Sequence, residues 1–223
     1  SFTKMMGLTW KRPNYKPTRR LPFIPIETEI DQLIAGTGKK TSTFLQLLKE
    51  TGMRAGEAAR LRWVDVDFER NAITLNNPEK NSNARIFKAS SKLLAMFNAL
   101  PKTSERVFGP APLRSIQVSF FNQRKRIARQ LQNPRLAQIK LHTFRHWKAT
   151  MEYHKTRDIL HVMRLLGHKR IDNTLIYTQL VNFESDEYAC RVAKTEKEIR
   201  ELVEVGFEYV TDYEEAKIFR KRK

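Results

Sequence analysis

The sequence lacks the features of several large classes of protein. Its 223 residues include one cysteine, Cys190, which excludes an internal disulfide framework and zinc sites built on several cysteines. No apolar run approaches the roughly 20 residues that span a bilayer, and the N-terminal segment SFTKMMGLTW lacks the apolar core of a secretory signal. There is no internal repeat and no glycine-rich phosphate loop of the GxxxxGK type. We therefore expect a protein that works inside a cell.

Acidic residues are scarce relative to basic ones. The chain has 42 lysines and arginines against 24 aspartates and glutamates, so its formal net charge is +18 and its isoelectric point is near 10.2. This balance is typical of proteins that bind a polyanion, and nucleic acid is the polyanion we expect. A basic membrane-surface protein is the alternative, but no predicted helix combines a dense Lys/Arg face with a strongly apolar one.

Apolar periodicity and turn formers predict a mainly α fold with a small antiparallel β-sheet, which is an α+β arrangement. With 40% hydrophobic residues, the chain can form a core without covalent cross-links. The β-like runs AITL and ARIFKA are separated by turn formers and predict a hairpin with Lys80 in its tip. Helices are predicted over residues 27–35, 43–51, 90–100, 113–132 and 185–205, and a terminal hairpin or arm follows Gly206.

Residues 141–180 combine histidines, an arginine and a tyrosine at helical spacings. A helix that begins near His142 places His142, Arg145 and His146 on one face, whereas the opposite face, predicted to lie in the core, carries Phe144, Trp147 and Met151. A second helix starts at Asp158 and ends at Gly167, which puts His168 at a helix end, and Tyr177 lies in a third, short helix. Taken singly, each residue has an ordinary explanation as a cap, a solvated arginine or a half-buried tyrosine.

A second group of charged residues lies upstream. Arg54 stands at a predicted helix start, where free backbone N–H groups favour an anion, and Glu57 follows three residues later. The alternative is a surface Arg54–Glu57 pair worth about 0.3 kcal/mol. Lys80 is either a solvated loop residue or, beside a phosphate, a proton donor.

The long predicted helix carries a run of cations in its second half. A charge run is usually a solvated face, but in a chain of this net charge contact with the DNA backbone is an equally good explanation. The residues in question are Arg124, Lys125, Arg126 and Arg129.

Together these residues suit nucleophilic displacement at phosphorus. Two arginines can hold the non-bridging oxygens of a phosphodiester and strengthen their hydrogen bonds as charge builds in the transition state. The attacking hydroxyl would be that of a tyrosine, which needs activation because its ordinary pKa is about 10.

Three motifs, in order, resemble those of tyrosine recombinases, the phage integrase family. TGMRAGEAARLRWVDVD resembles the first arginine motif, HTFRH the His-x-x-Arg motif, and LLGHKRIDNTLIYTQL the Leu-Gly-His…Tyr motif. The resemblance runs from about Pro22 to Leu180, and the tail is similar to the C-terminal end of archaeal virus and provirus integrases.

The resemblance implies the catalytic-domain fold of these enzymes and a role for each motif residue. Arg54 and Arg145 would clamp the scissile phosphate and Lys80, or alternatively Lys88, would protonate the leaving 5′ hydroxyl. His142 and His168 would complete the pocket, Glu57 would support the first arginine, and Tyr177 would become linked to the 3′ phosphate. The bond energy is kept in the phosphotyrosine, so no cofactor, ATP or metal is needed.

The same resemblance implies partners and a domain plan. The partner is double-stranded DNA at attachment sites, bound by a homo-oligomer that is a tetramer in the recombination complex, in the cytoplasm or nucleoid of a host. We expect a basic, proline-rich arm over residues 1–25, a catalytic domain over 26–180, and a helix with a basic tail over 181–223 that packs on its own domain or on a neighbouring copy. Family members usually carry an N-terminal core-binding domain, so we expect a fragment or truncated form that cleaves DNA weakly.

Departures from the family pattern and three alternatives remain at this point. Phe144 and Trp147-Lys148 replace the commoner leucine and Thr-Phe, which affects packing rather than chemistry.

A type IB topoisomerase-like enzyme shares the chemistry but relaxes supercoils, and a non-catalytic DNA-binding protein could keep the fold. A metal hydrolase using His142 and His146 lacks the glutamate of HExxH, since position 143 is threonine.

Overall fold

The computed structural model describes residues 6–7, 21–80, 82–180, 188–213 and 216–222. The chain divides into two compact units, Ser1–Leu180 and Val181–Lys223. The predicted arm over residues 1–25 lies outside the described residues except for 6–7 and 21–25. Within the described ranges, no helix has the length and apolar character needed to cross a membrane.

The first unit is mainly helical with one small antiparallel sheet. Its helices are α1 (Glu27–Gly36), α2 (Lys39–Thr51), α3 (Ala55–Ala59), α4 (Ser91–Asn98), α5 (Leu113–Gln130), α6 (Leu141–Thr156) and α7 (Ile159–Leu166). Its strands are β1 (Val66–Asp67), β2 (Ala72–Leu75) and β3 (Arg85–Lys88), paired in that order. Short 3-10 turns cover Trp63–Asp65, Pro134–Gln138, Ile171–Asn173 and Leu175–Leu180. The predicted fold class is confirmed.

Helix boundaries follow local capping signals. The Asp158 carboxylate accepts hydrogen bonds from the backbone N–H groups of Leu160 and His161 at 2.8 and 2.9 Å, which starts α7 as predicted. Gly167 ends α7 with a φ of +69°, a left-handed conformation that glycine adopts without steric strain. Helix α2 begins at Lys39 rather than at residue 43, because the carbonyl of Gly38 already accepts a bond from Ser42.

The core is aromatic, and α6 contributes to it. Phe144 and Trp147 are buried as predicted, and the rings of Phe44 and Phe108 meet edge to face at 4.9 Å. The prediction for Met151 was wrong, since 37% of its surface is exposed. Near the C-terminal end of α6 the buried side is instead formed by residues that pack in a second, smaller cluster. That cluster contains Ala149, Tyr153, Val162, Leu166 and Tyr177.

The predicted hairpin is confirmed. Strands β2 and β3 pair antiparallel, with Ala72 opposite Lys88 and Leu75 opposite Arg85. Lys80 lies in the connection with a φ of +54°, which is uncommon for a residue other than glycine. The backbone N–H of Asn83 donates to the carbonyl of Gly167 at 3.2 Å, so the hairpin is docked onto the end of α7.

Tyr177 lies in the predicted short helix, which is of the 3-10 type. The two turns over Ile171–Asn173 and Leu175–Leu180 flank Thr174, which is fully buried. Leu175 is exposed, whereas Tyr177 is buried. The chain therefore turns more tightly here than an α-helix would allow.

The second unit is a three-stranded sheet with one helix, which corrects the helix predicted over residues 185–205. Strands β4 (Tyr188–Ala193), β5 (Glu208–Tyr213) and β6 (Ala216–Arg222) pair in the order β4-β6-β5, and α8 (Glu196–Glu204) is the helix. Thr195 begins α8 through a reciprocal capping box with Glu198, and the predicted terminal hairpin is confirmed by the pairing of β5 with β6. The upstream half is a strand because it pairs along its length with β6, a distant partner that local periodicity does not reveal.

Candidate active site

All six residues predicted to be catalytic line one cavity of about 320 Å³. They come from five segments of the first unit: the start of α3, the β2–β3 hairpin, α6, the turn after α7 and the last 3-10 turn. These residues are Arg54, Lys80, His142, Arg145, His168 and Tyr177, and His146 joins them in the lining.

Arg54 lies at the N-terminus of α3 and is held by a buried carboxylate. Its backbone N–H donates to one oxygen of Glu57 at 2.9 Å, and its Nη1 donates to the other oxygen at 3.0 Å. The same Nη1 also donates to Ser82 Oγ at 2.6 Å. Because the Glu57 side chain is fully buried, this is not the exposed surface pair considered as the alternative.

Glu57 receives hydrogen bonds from further groups, among them an arginine that the sequence did not single out. The backbone N–H of Glu79 donates to it at 3.0 Å, and Nη2 of Arg85 donates at 2.8 Å. Burial alone would raise the pKa of this carboxyl group, but the hydrogen bond from the Arg54 backbone and the charge of Arg85 hold its pKa below the ordinary value. Glu57 is therefore ionised at neutral pH.

Arg145 is buried, with 2% of its surface exposed, and its guanidinium is fixed by backbone carbonyls. It donates to the carbonyls of Gly52 at 2.8 Å and Leu166 at 2.7 Å, and it contacts Nε2 of His168 at 3.0 Å. Burial, together with the charge of Arg54, lowers the pKa of Arg145 to about 10. The group remains a cation at neutral pH.

His168 is neutral, and its tautomer follows from its partners. Arginine has no acceptor, so the Nε2 that faces Arg145 must carry a lone pair, and the proton lies on Nδ1. Nδ1 is 2.9 Å from Thr174 Oγ1, which it reaches as a donor. Burial and the nearby charge of Arg145 lower the pKa of His168 to about 4.

The Tyr177 hydroxyl lies 3.1 Å from Nδ1 of His146. The tyrosine is 3% exposed, and burial raises its pKa while the charges of Arg145 and Arg54 act in the opposite direction. Burial lowers the pKa of His146 to about 4, so its ring is neutral and one nitrogen can accept a proton. The sequence predicts His146 on this helix face, but the only role considered for it there is that of a metal ligand in the hydrolase alternative. Its spacing of four residues from His142 was the available signal.

His142 and Lys80 are the remaining predicted catalytic residues, and Asp172, Asn173 and Ile176 also line the cavity. The rings of His142 and His146 meet edge to face with centroids 4.6 Å apart. Desolvation of the His142 ring and the charge of Arg145 lower its pKa, although part of the side chain is exposed. Of the two lysines weighed for the hairpin, Lys80 lines this cavity, whereas Lys88 lies on β3 opposite Ala72.

The four cations of α5 fall into two groups. Lys125, Arg126 and Arg129 are exposed. Arg124 is 8% exposed and donates to the carbonyl of Ile139, with its guanidinium beside the ring of Phe120. Arg124 also lines the larger cavity next to the catalytic one, so its contact with DNA stays a prediction.

A larger cavity of about 680 Å³ adjoins the first and shares Arg54, Lys80 and His142 with it. The N-terminal half of α5 forms much of its wall, where Val118 and Phe121 are exposed apolar residues.

Across the part of the chain that the structure describes, no group of three or more His, Cys, Asp and Glu side chains is arranged to hold a metal ion.

The fold and the residues around the cavity are those of a tyrosine recombinase catalytic domain. Residues 26–184 match the phage integrase family, and the chain belongs to that family.

The curated proteins to which the chain is similar are also tyrosine recombinases. The chain is 27% identical over 183 residues to the tyrosine recombinase XerA of Saccharolobus solfataricus, a match that covers 81% of this chain and 60% of that protein. It is 30% identical over 187 residues to XerC of Roseiflexus castenholzii, covering 76% of this chain and 59% of the relative. The chain thus spans about 60% of the length of these relatives.

Solved structures share the fold. The crystal structure of XerA recombinase superposes with a TM-score of 0.59 at 19% identity, covering 93% of this chain and 73% of that one. The Tn1549 transposon integrase, solved in complex with transposon right end DNA, gives 0.65 at 16% identity, covering 82% and 72%. The catalytic domain of bacteriophage HP1 integrase gives 0.54 at 24% identity, covering 82% and 94%.

Proposed function

We propose that the chain cleaves and rejoins DNA strands at specific sites through a 3′-phosphotyrosyl intermediate, for the integration or excision of viral or mobile DNA. The observation that carries the proposal is the position of Tyr177, whose side chain lines the same cavity as Arg54 and Arg145. A phosphodiester in this cavity would meet a nucleophile and two cations at once.

The reaction is a displacement at phosphorus. The Tyr177 oxygen attacks the scissile phosphate, the bond to the 5′ oxygen breaks, and Lys80 gives that oxygen its proton. The two arginines stabilise the charge that builds on the non-bridging oxygens. Attack by a 5′ hydroxyl on the phosphotyrosine reverses these steps and rejoins a strand. The energy of the broken bond is conserved, so no cofactor is consumed.

Activation of the tyrosine is the chemical difficulty, because burial makes its hydroxyl harder to ionise. The charges of Arg145 and Arg54 oppose this effect. Nδ1 of His146, at 3.1 Å, accepts the phenolic proton when the ring carries its own proton on Nε2. His142, as a neutral ring, can donate one N–H to a phosphate oxygen, whereas both ring nitrogens of His168 are engaged by Thr174 and Arg145, so His168 holds the guanidinium of Arg145 in place.

Double-stranded DNA is the proposed substrate, bound by a homo-oligomer that forms a tetramer during recombination within the host cytoplasm or nucleoid. The net charge of +18 supports a polyanionic partner. Lys125, Arg126 and Arg129 are the proposed phosphate contacts on α5. Residues 181–223, with exposed Val203 and Val205 at the end of α8, are proposed to dock on a neighbouring copy.

The test is covalent trapping. Nicked duplexes with randomised sequence around the nick are incubated with the protein, and covalent adducts are separated under denaturing conditions. We expect an adduct with the wild-type chain and none with Tyr177→Phe. Tyr153→Phe is the matched control, because Tyr153 packs in the same hydrophobic cluster, and it should retain the adduct.

An adduct that survives Tyr177→Phe would show that the nucleophile is misassigned. Sequencing of the trapped DNA gives the preferred site, which is then used in a two-site recombination assay beside plasmid relaxation. Relaxation of any plasmid without exchange between cognate sites would favour the topoisomerase alternative. Absence of any adduct from the wild-type chain would favour the non-catalytic DNA-binding alternative.

A further inference from the structure

We propose that Arg85, a buried residue of β3, is a positioning residue that holds Arg54, the Lys80 hairpin and the His168 turn in the arrangement needed for cleavage. The assignment rests on the proposed function and adds a residue to it. Arg85 does not line the catalytic cavity, so it acts through its neighbours rather than on the phosphate.

The first connection runs through Glu57. One carboxylate oxygen accepts from Arg85 Nη2 at 2.8 Å and from the Arg54 backbone N–H at 2.9 Å, and the other accepts from Arg54 Nη1. The side chains of Glu57 and Arg85 are 0% and 4% exposed, so water does not substitute for either. Without Arg85, Glu57 would keep only its bonds to Arg54 and to the Glu79 backbone, and we expect it to hold the guanidinium of Arg54 less rigidly.

The second connection runs to the hairpin and the histidine turn. Arg85 Nη1 donates to the carbonyl of Asn83 at 3.0 Å, and the N–H of Asn83 donates to the carbonyl of Gly167 at 3.2 Å. The guanidinium also lies so close to Gly167 that a Cβ at that position would overlap it. His168 is the next residue, so Arg85 fills the space between the Lys80 hairpin and the His168 turn.

Stability alone is a weak explanation for this arrangement. Buried ion pairs often contribute little net stability, because desolvation offsets the attraction between the charges. Here the Nε–H of Arg85 is also buried without a hydrogen-bond partner among the described residues. Three buried or half-buried arginines, Arg54, Arg85 and Arg145, surround the single carboxylate of Glu57. A phosphodiester would supply the missing negative charge.

The experiment measures single-turnover cleavage of a nicked duplex at saturating protein, together with DNA affinity at fixed salt. A small displacement of catalytic groups slows a reaction by about 100-fold. We therefore expect about a 100-fold lower rate constant for Arg85→Gln, with DNA affinity within about threefold of wild type. Arg85→Lys should be intermediate, because an ammonium keeps the charge but not the planar fork that reaches Glu57 and Asn83.

A merely structural role predicts a different result. It would lower the amplitude of the adduct, through loss of folded protein, and leave the rate constant unchanged. The control is Arg135→Gln, which breaks a 2.7 Å pair with the buried carboxylate of Glu29 and does not alter the cavity lining. It should lower the melting temperature without slowing cleavage.

Each outcome of the cleavage experiment either supports or overturns the positioning role of Arg85. If Arg85→Gln does not fold, the rate constant of Arg85→Lys gives the answer. Wild-type rate constants in the folded Arg85 variants would overturn the positioning role alone. No adduct from the wild-type chain would overturn the proposed function, and the positioning role with it.

Discussion

Arg145 has five N–H donors, and three hydrogen bonds to Gly52, Leu166 and His168 fix its plane before any substrate arrives. Up to two donors remain for a phosphate. Arg54 is fixed in the same way by Glu57 and Ser82. Preorganised donors of this kind need no rearrangement as charge builds in the transition state. Lys80 differs, since it is exposed in a hairpin connection and its position depends on the backbone there.

The role of Lys80 can be separated from that of Lys88 by changing the leaving group. Loss of a general acid slows a reaction by about 100-fold or more, which we expect for Lys80→Ala. A substrate with sulfur in place of the 5′ bridging oxygen leaves as a thiolate and needs no proton, so it should restore cleavage to within about tenfold of wild type. Lys88→Ala is the control and should behave as wild type on both substrates. A Lys88→Ala defect rescued by sulfur would reverse the assignment.

The low pKa values of His146 and His168 predict acid sensitivity. Both stay neutral in the folded protein down to a pH of about 4, whereas unfolded histidines take up protons near 6.5. Between these values the unfolded state binds more protons, so the free energy of unfolding falls as the pH is lowered from 6.5 to 4 and is unaffected by these groups above 6.5.

Denaturant unfolding at pH 7 and pH 4.5 measures this loss. His168→Gln should show a smaller fall than wild type, because one of the histidines with a lowered pKa is removed. His154→Gln, at an exposed position of α6, should show the wild-type fall. An equal fall in all three proteins would mean that His168 contributes nothing to the acid sensitivity.

Among the elements, helices with strong local signals were predictable and those set by distant partners were not. Asp158 and Gly167 bound α7 through their own side chain and backbone conformation. By contrast, β4 forms because it pairs with β6, and the Thr195–Glu198 capping box starts α8 inside the one long helix that apolar periodicity predicts. The residues in and around the cavity divide in the same way, since some carry a signal in the sequence and others are placed by contacts with distant residues.

The six candidate catalytic residues could be named from the sequence because its three motifs resemble those of tyrosine recombinases, and all six line one cavity. Arg85 could not, because it sits in a β-like run where only its long-range contact with Glu57 distinguishes it from a solvated strand residue. The burial of Arg124 could not be predicted either, because the sequence shows its charge but not the packing of α5.

The turn between α7 and His168 should tolerate no side chain at Gly167. Gly167→Ala adds the strain of a left-handed residue, about 1–2 kcal/mol, and displaces Arg85 from its buried pair, a loss of about 3–5 kcal/mol. We therefore expect thermal unfolding to report a loss of about 4 kcal/mol or more. Gly109→Ala, with a φ of +76° and only the flexible end of Lys40 nearby, should lose the strain energy alone. Equal losses would show that Arg85 moves aside freely.

At the scale of the whole molecule, charge is the dominant property. The net charge of +18 comes from the first unit, because residues 181–223 contain 9 lysines and arginines against 11 aspartates and glutamates, although β6 carries Lys217, Arg220 and Lys221. Such a surface binds DNA largely by releasing counterions, so affinity depends steeply on salt and weakly on sequence. Specificity must come from groups that meet base edges, whereas Lys125, Arg126 and Arg129 are expected to contact phosphates.

The dependence of DNA affinity on salt concentration tests whether the cations of α5 contact phosphates rather than base edges. Each phosphate contact contributes about one unit to the slope of log affinity against log salt concentration. Lys125→Ala and Arg129→Ala should each reduce the slope by about one and weaken cognate and random duplexes equally. Arg70→Ala removes the same charge from an exposed position between β1 and β2, away from both cavities, and should leave the slope unchanged. The opposite result would be a wild-type slope for Lys125→Ala and Arg129→Ala together with a lower slope for Arg70→Ala. In that case the DNA backbone does not run along α5, and the cations that contact its phosphates lie on the side of the β1–β2 connection.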